Sequence, residues 1–297
     1  MIAGLSRATP VLVQGIAGRM GRTHAALMRA YGTNIVAGVA ARGDAAEIAG
    51  VPVFATCAAA VAATGAVASV ALTPPAETLA AARDAFDAGI RLLVTVAEGV
   101  PAHDAVRIGL AARAAGAVWV GASTPGLAIP GQVKLGFLPD VALRPGPLGM
   151  MSKSGTLSYE VGWRLARAGL GQSLWVGVGG DPVKGVCFAD LLPVFLADPA
   201  TSAVVLVGEV GGTEEEDCAA SYAALGAGKP LFALIAGREA KEGVAMGHAG
   251  ALVHGASGTL AEKTRRLQEA GALVFASIEA LVAHCVAELG HQGRGAE

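Results

Sequence analysis

A chain of 297 residues, 53% apolar and only 15% charged, holds enough material for two cores of ordinary size and little for long solvated tails. Its 22 basic residues stand against 24 acidic ones, for a formal net charge of −2, and no Lys or Arg block forms a stripe along a nucleic-acid backbone, so no nucleic-acid partner is expected. Apolar runs are broken well before the ~18 residues of a membrane helix, and residues 1–10 lack the regions of a signal peptide, so a soluble, cytoplasmic protein without membrane contact is expected.

An apolar strand at residues 11–13 runs through Gln14 into Gly15-Ile16-Ala17-Gly18-Arg19-Met20-Gly21-Arg22, followed by a helical stretch to residue 30. Strand, glycine turn and helix N-terminus in that order present free N–H groups and the positive helix end to a phosphate, although such glycines also serve close helix–sheet packing. A second strand, residues 35–40, ends in Ala40-Ala41-Arg42-Gly43-Asp44. An acidic residue directly at that strand end would accept hydrogen bonds from an NAD ribose. Small residues and Arg42 stand there instead, which suits a phosphorylated ribose, as in NADP or coenzyme A, or leaves Arg42 a solvated loop charge. Apolar strands follow at residues 51–54, 66–72, 92–96 and 118–120, separated by alanine-rich helical stretches such as 76–88 and 102–115. That alternation implies a doubly wound parallel sheet covered on both faces. Its ligands would lie at the carboxyl ends of the strands, which carry Thr73-Pro74-Pro75, Ala97-Glu98-Gly99 and Gly121-Ala122-Ser123-Thr124-Pro125-Gly126.

Residues 129–148 carry Pro130, Pro139, Pro145 and Pro147 with few periodic apolar positions, and read as a linker with the domain boundary near residue 145. Then Leu148-Gly149-Met150-Met151-Ser152 leads into Lys153-Ser154-Gly155-Thr156-Leu157-Ser158-Tyr159-Glu160 and a helical stretch to residue 168. Ser154, Gly155 and Thr156 fall where strand gives way to helix, so they suit a second anion or an ordinary N-cap equally well. Strands at residues 174–178 and 203–207 run into Gly179-Gly180-Asp181-Pro182 and Gly208-Glu209-Val210-Gly211-Gly212. Further strands at 231–235 and 273–275, with helices at 262–270 and 278–288, complete a second open α/β sheet, and residues 290–297 read as a frayed tail. Between them stands Met246-Gly247-His248-Ala249-Gly250-Ala251, a histidine among residues too small to shield it. Imidazole is both a nucleophile and a proton carrier near neutral pH, so His248 reads as the reacting group. Cys57, Cys187, Cys218 and Cys285 are far apart, without a Cys-x-x-Cys pair or a histidine at ligand spacing, and read as reduced thiols with no metal site.

Taken together, the turn at residues 15–21, Val96-Ala97-Glu98-Gly99, the stretch 152–160, Gly179-Gly180-Asp181-Pro182, Gly208-Glu209-Val210-Gly211-Gly212 and the run 246–251 resemble the α-subunit family of succinyl-CoA synthetase, in order and spacing over residues 11–289. The resemblance implies an α/β fold with an N-terminal Rossmann-like CoA-binding domain, 1–145, and a C-terminal flavodoxin-like doubly wound ligase domain, 146–297. It implies a hetero-oligomer with a β subunit of ATP-grasp fold, which mainly carries the ATP or GTP with Mg2+, and a small carboxylic acid as substrate. His248 matches the histidine phosphorylated during turnover, and Glu209 the carboxylate that accepts a hydrogen bond from its other ring nitrogen. Ser154, Gly155 and Thr156 match the helix start that holds the phosphoryl group, and Tyr159 a residue of the acid-binding region. Gly15, Ala17, Gly18, Arg19, Met20, Val96, Ala97 and Glu98 match segments that hold coenzyme A.

Two segments depart from the family pattern. Ser123 and Thr124 stand where the family has Asn and Cys near the CoA thiol, and Gly43 replaces its lysine, with Arg42 beside it as stand-in. The substrate expected is therefore a small di-acid related to succinate or a substituted acid, hydroxylated or sulfonated, with malate–CoA ligase as the alternative. Two remoter readings are an NADPH-dependent reductase, whose turn resembles residues 15–22 but whose paired histidines are absent, and a CoA-binding subunit without catalysis.

Overall fold

The computed structural model describes residues 2–40, 46–226, 228–237 and 258–290, so Arg42 and the run around His248 lie outside the described residues. The chain divides into two compact units. One holds the described residues up to Phe137 together with Val183–Val186; the other holds Leu138–Pro182 and the described residues from Cys187 onward. Among the described residues no helix is long and apolar enough to cross a membrane.

In the first unit the elements are β1 (Val11–Gln14), α1 (Arg19–Tyr31), β2 (Ile35–Val39), β3 (Glu47–Ile48), β4 (Val51–Phe54), α2 (Cys57–Thr64), β5 (Ala68–Ala71), α3 (Thr78–Asp87), β6 (Leu92–Thr95), α4 (Ala102–Ala114), β7 (Val118–Val120), β8 (Gly126–Ile129) and β9 (Val133–Gly136). Strands lie in the order β3-β4-β2-β1-β5-β6-β7. All neighbours are parallel except β3 and β4. Every residue of β1, β5 and β6 is buried, because helices cover both faces and leave no side for polar alternation. From β4 to β7 this is the Rossmann-like order expected, with its switch point between β1 and β5. Helix α2, which apolar periodicity did not reveal, starts at Thr56, whose hydroxyl accepts the Ala59 N–H at 3.2 Å, and stops at Gly65 in the left-handed region.

The proline-rich stretch is not a linker throughout. β8 and β9 form an antiparallel hairpin, with Gly126 opposite Gly136 and Ile129 opposite Val133. Its signal is hidden because Leu127, Ala128, Val133 and Leu135 are all buried, so the strands show no apolar–polar alternation. Close strand approach also demands glycine: a Cβ on Gly126 would stand 1.9 Å from the Leu135 carbonyl oxygen. Thr33 fastens the hairpin, donating to the Lys134 carbonyl at 2.7 Å and accepting its N–H at 3.0 Å.

The second unit consists of β10 (Pro145–Ser152), α5 (Gly155–Arg167), β11 (Gln172–Gly177), α6 (Phe188–Ala197), β12 (Ala203–Glu209), α7 (Glu214–Leu225), β13 (Leu231–Ala236), α8 (Leu260–Glu269), β14 (Leu273–Phe275) and α9 (Ile278–Leu289). Parallel strands run β14-β13-β12-β10-β11, the flavodoxin-like order, which puts a switch point between β10 and β12. Helices α6 and α7 escape sequence reading for different reasons. Pro193 interrupts the first, and the second opens with Glu214, Glu215, Glu216 and Asp217, which suit a helix N-terminus but read as a solvated charge run.

Candidate functional site

At the first switch point the three glycines of the turn do different work. Gly15 (φ 72°) lies so close to β5 that a Cβ would meet the Leu72 carbonyl oxygen at 2.6 Å, and a Cβ on Gly21 would meet the Gly15 carbonyl oxygen at 2.1 Å. Both are packing glycines. Gly18 is the exposed N-cap of α1, has no side-chain cap, and is followed by no acidic residue in the first turn. The helix start with Ala17, Gly18, Arg19 and Met20 therefore presents uncapped polarity to solvent, with Met20 44% exposed. Beside it, just after β5, the buried Thr73 hydroxyl has no hydrogen-bond partner among the described residues, and a Cβ on Gly15 would stand 3.5 Å from the Thr73 methyl carbon.

The loops after β6 and β7 meet at the same carboxyl edge. Ser123 donates its N–H to the Ala97 carbonyl at 2.8 Å, tying the Val96, Ala97 and Glu98 segment to the Ser123 and Thr124 segment. Thr124 is buried and its hydroxyl accepts the Gly126 N–H at 2.9 Å, so it shapes the turn. Ser123 is half-buried with φ 56°, a left-handed conformation that Asn tolerates more readily than Ser.

The second switch point gathers Ser154 and Glu209. Ser152 pairs with Val207, so Ser154 and Glu209 each lie two residues beyond the same register pair on adjacent strands. Ser154 is the N-cap of α5, and its hydroxyl accepts the Leu157 N–H at 3.2 Å, while Gly155 and Thr156 form the first turn. The Ser152 hydroxyl donates to the Ser154 carbonyl at 2.7 Å and the Ser158 hydroxyl to the Gly155 carbonyl at 2.8 Å, which fixes the helix entry. Tyr159 is half-buried one turn along, edge-on to Trp175 with ring centroids 6.4 Å apart, and burial raises its phenol pKa above the ordinary value.

Beneath these residues lies an ionic cluster that sequence reading missed. Lys153 (5% exposed) reaches Glu215 at 3.1 Å and Glu214 at 3.3 Å. Lys263 (0% exposed) pairs with Glu215, and lies 3.4 Å from Glu216 and 2.9 Å from the Gly211 carbonyl oxygen. Burial works to lower the Lys153 pKa, but Glu215 and Glu214, then Glu209, outweigh it and the ammonium is pushed up to about 12. Burial likewise works to raise the Glu215 pKa, yet Lys153 and Lys263 with the Glu209 N–H hold it below the usual carboxylate range. No single residue signals such a cluster; in the sequence Lys153 stands beside the Ser154 cap and its partners lie far along the chain. Among the described residues no group of three His, Cys, Asp or Glu side chains is placed to hold a metal ion.

Residues 6–99 match the model of the CoA binding domain and residues 151–273 that of CoA-ligase. The chain is 42% identical over 273 residues to the α subunit of the ADP-forming succinate–CoA ligase of Aquifex aeolicus, covering 91% of this chain and 89% of that one. It belongs to the succinyl-CoA synthetase α-subunit family of ADP-forming acid–CoA ligases. Relatives of this ligase subunit bear the names of different acids. A subunit of the ADP-forming sulfoacetate–CoA ligase of Bilophila wadsworthia is 41% identical, over 89% of this chain and 91% of that one. The α subunit of the malate–CoA ligase of Methylorubrum extorquens is 38% identical, over 90% and 91%. Among solved structures, ATP citrate lyase from Methanothrix soehngenii, in complex with citrate and coenzyme A, shares the fold, with a TM-score of 0.83 at 24% identity. The ligase subunit described here is covered to 98% and spans about half, 51%, of that lyase chain.

Proposed function

We propose that this α subunit forms an acyl-CoA from a small carboxylic acid, CoA and a nucleoside triphosphate, with His248 as carrier of the phosphoryl group. The observation that carries the reading is the pairing of Ser152 with Val207, which brings the α5 N-terminus and Glu209 out of the sheet side by side. A thiol does not displace oxide from a carboxylate at useful rates, so the acid must first become an acyl phosphate. A histidine that stores the phosphoryl group divides that transfer into two displacements, each stabilised by fixed N–H donors. In this reading Glu209 accepts a hydrogen bond from a protonated ring nitrogen of His248, and Ser154, Gly155 and Thr156 hold the phosphoryl oxygens. Tyr159 and, separately, Ser123 and Thr124 are the candidates for holding the acid, the Thr124 hydroxyl also accepting the Gly126 N–H.

CoA suits the N-terminal domain, for which the boundary in this reading is residues 1–145. The uncapped start of α1 and the unpartnered Thr73 hydroxyl offer donors for an anionic, hydroxyl-rich ligand. Gly15, Ala17, Gly18, Arg19, Met20, Arg42, Val96, Ala97 and Glu98 would hold it, and its thiol supplies the acyl acceptor. Residues 146–297 form the ligase domain. The relatives' names as α subunits support a β partner, for which we propose the ATP-grasp fold and the site for ATP or GTP with Mg2+. Intact-mass measurement of the chain co-expressed with that partner and incubated with MgATP tests the mechanism. An acid-labile gain of one phosphoryl group, absent from His248→Ala, is the expected result; no gain in the unaltered complex would overturn it.

A further inference from the structure

Around Glu209 the second unit holds one fully buried carboxylate to which the ligase reading gives no task. Glu215, in the first turn of α7, accepts the Glu209 N–H through Oε1 at 3.0 Å. Its Oε2 accepts from Lys153 Nζ at 3.1 Å and from Lys263. Lys263 also donates to the Gly211 carbonyl at 2.9 Å, and Lys153 immediately precedes the Ser154 cap of α5. One side chain thus ties α8, the entry to α5 and the Glu209 N–H, and through Lys263 it also reaches the Gly211 carbonyl. Glycine at 208 is what admits it, since a Cβ there would stand 2.6 Å from Glu215 Oε1.

Holding helices together does not require such a cluster. Taking these charges out of water is costly, and apolar side chains of the same volume pack helices on a sheet as well or better. Apolar groups do not orient backbone dipoles, however, whereas this cluster bonds the N–H of Glu209 and the C=O of Gly211. We propose that Glu215 is a positioning residue: bonding the Glu209 N–H itself and the Gly211 carbonyl through Lys263, it locks the turn at residues 209–211, so that the Glu209 carboxylate is held to accept a hydrogen bond from the histidine. The proposal rests on the roles given above to Glu209 and His248.

A double-variant cycle on the complex tests it, with the rate of acid-labile phosphoryl gain from MgATP read by intact mass and melting temperature recorded alongside. Glu209→Gln and Glu215→Gln are each expected to slow the gain about 10-fold or more. The double variant is expected to be no slower than Glu209→Gln alone, because both act on one step. A wild-type rate in Glu215→Gln overturns the proposal, as do effects that multiply in the double variant, which mark a merely structural role. If Glu215→Gln yields no folded complex, Glu215→Gln with Lys263→Met replaces it in the same cycle, since it removes opposite charges together. No phosphoryl gain in the unaltered complex is a separate result that removes the ligase reading, and this role with it.

Discussion

His24, on α1, packs its ring against Phe137 at 4.1 Å between centroids, and burial, with the nearby Lys134 charge, lowers its pKa from the ordinary value. Its neutral form is therefore favoured in the folded state, while the unfolded chain takes up a proton at about pH 6.5. Above that pH both states are neutral and the full stability is present. As pH falls, the unfolded chain binds the proton first, and stability declines until the lowered folded pKa is passed. Melting temperatures between pH 7.5 and 5 should show that decline, and His24→Gln should flatten its His24-dependent part. Equal slopes in the two proteins would remove the assignment. The cysteines are quieter residues: none of the four forms a disulfide, and Cys57, Cys218 and Cys285 are buried. Burial alone is the main cause that pushes the Cys285 thiol up to about 12.

Among the elements, the β1–α1 turn separates a glycine that serves packing from one that the proposed function gives to a ligand. Gly21→Ala would put a Cβ 2.1 Å from the Gly15 carbonyl oxygen and 2.7 Å from the Ile16 Cα, both backbone, so α1 must move off the turn. A loss of about 1–3 kcal/mol or more is expected in urea unfolding. At Gly18 the nearest atom to a built Cβ is the Gly15 carbonyl oxygen at 3.3 Å, and φ is an ordinary −68°. Gly18→Ser should therefore keep stability within a few tenths of a kcal/mol, since Ser is also a good N-cap. The new hydroxyl would engage N–H groups offered to CoA, so CoA affinity by calorimetry should fall. Tight CoA binding by Gly18→Ser, or wild-type stability in Gly21→Ala, would reverse this division. Both residues appear in the sequence as members of one glycine spacing; the neighbouring backbone distinguishes them.

For the whole molecule, the choice of acid is the property least constrained by family, because relatives at 42%, 41% and 38% identity carry the names of succinate, sulfoacetate and malate ligases. Ser123, half-buried at the carboxyl edge of the first sheet, stands where the family pattern has an amide, and under the proposed function it changes what that edge offers an acid. A panel of acids, scored by CoA-dependent loss of phosphate from the phosphorylated complex, should favour a hydroxylated or sulfonated acid over succinate. Succinate best by a wide margin would sink that expectation. The sequence by itself determined that there are two α/β halves, since strand and helix alternate with glycine turns at the strand ends, and its motifs in order determined the family. Those signals are local, and a local pattern survives in one dimension. Tertiary structure alone decided the β8–β9 hairpin, whose buried strands lack alternation, and the Lys153–Glu215–Lys263 cluster, whose members stand 62 and 48 residues apart. A lone Lys or Glu reads as a solvated charge, and only the strand order that sets β10 beside β12 turns these three into one buried network beneath Glu209.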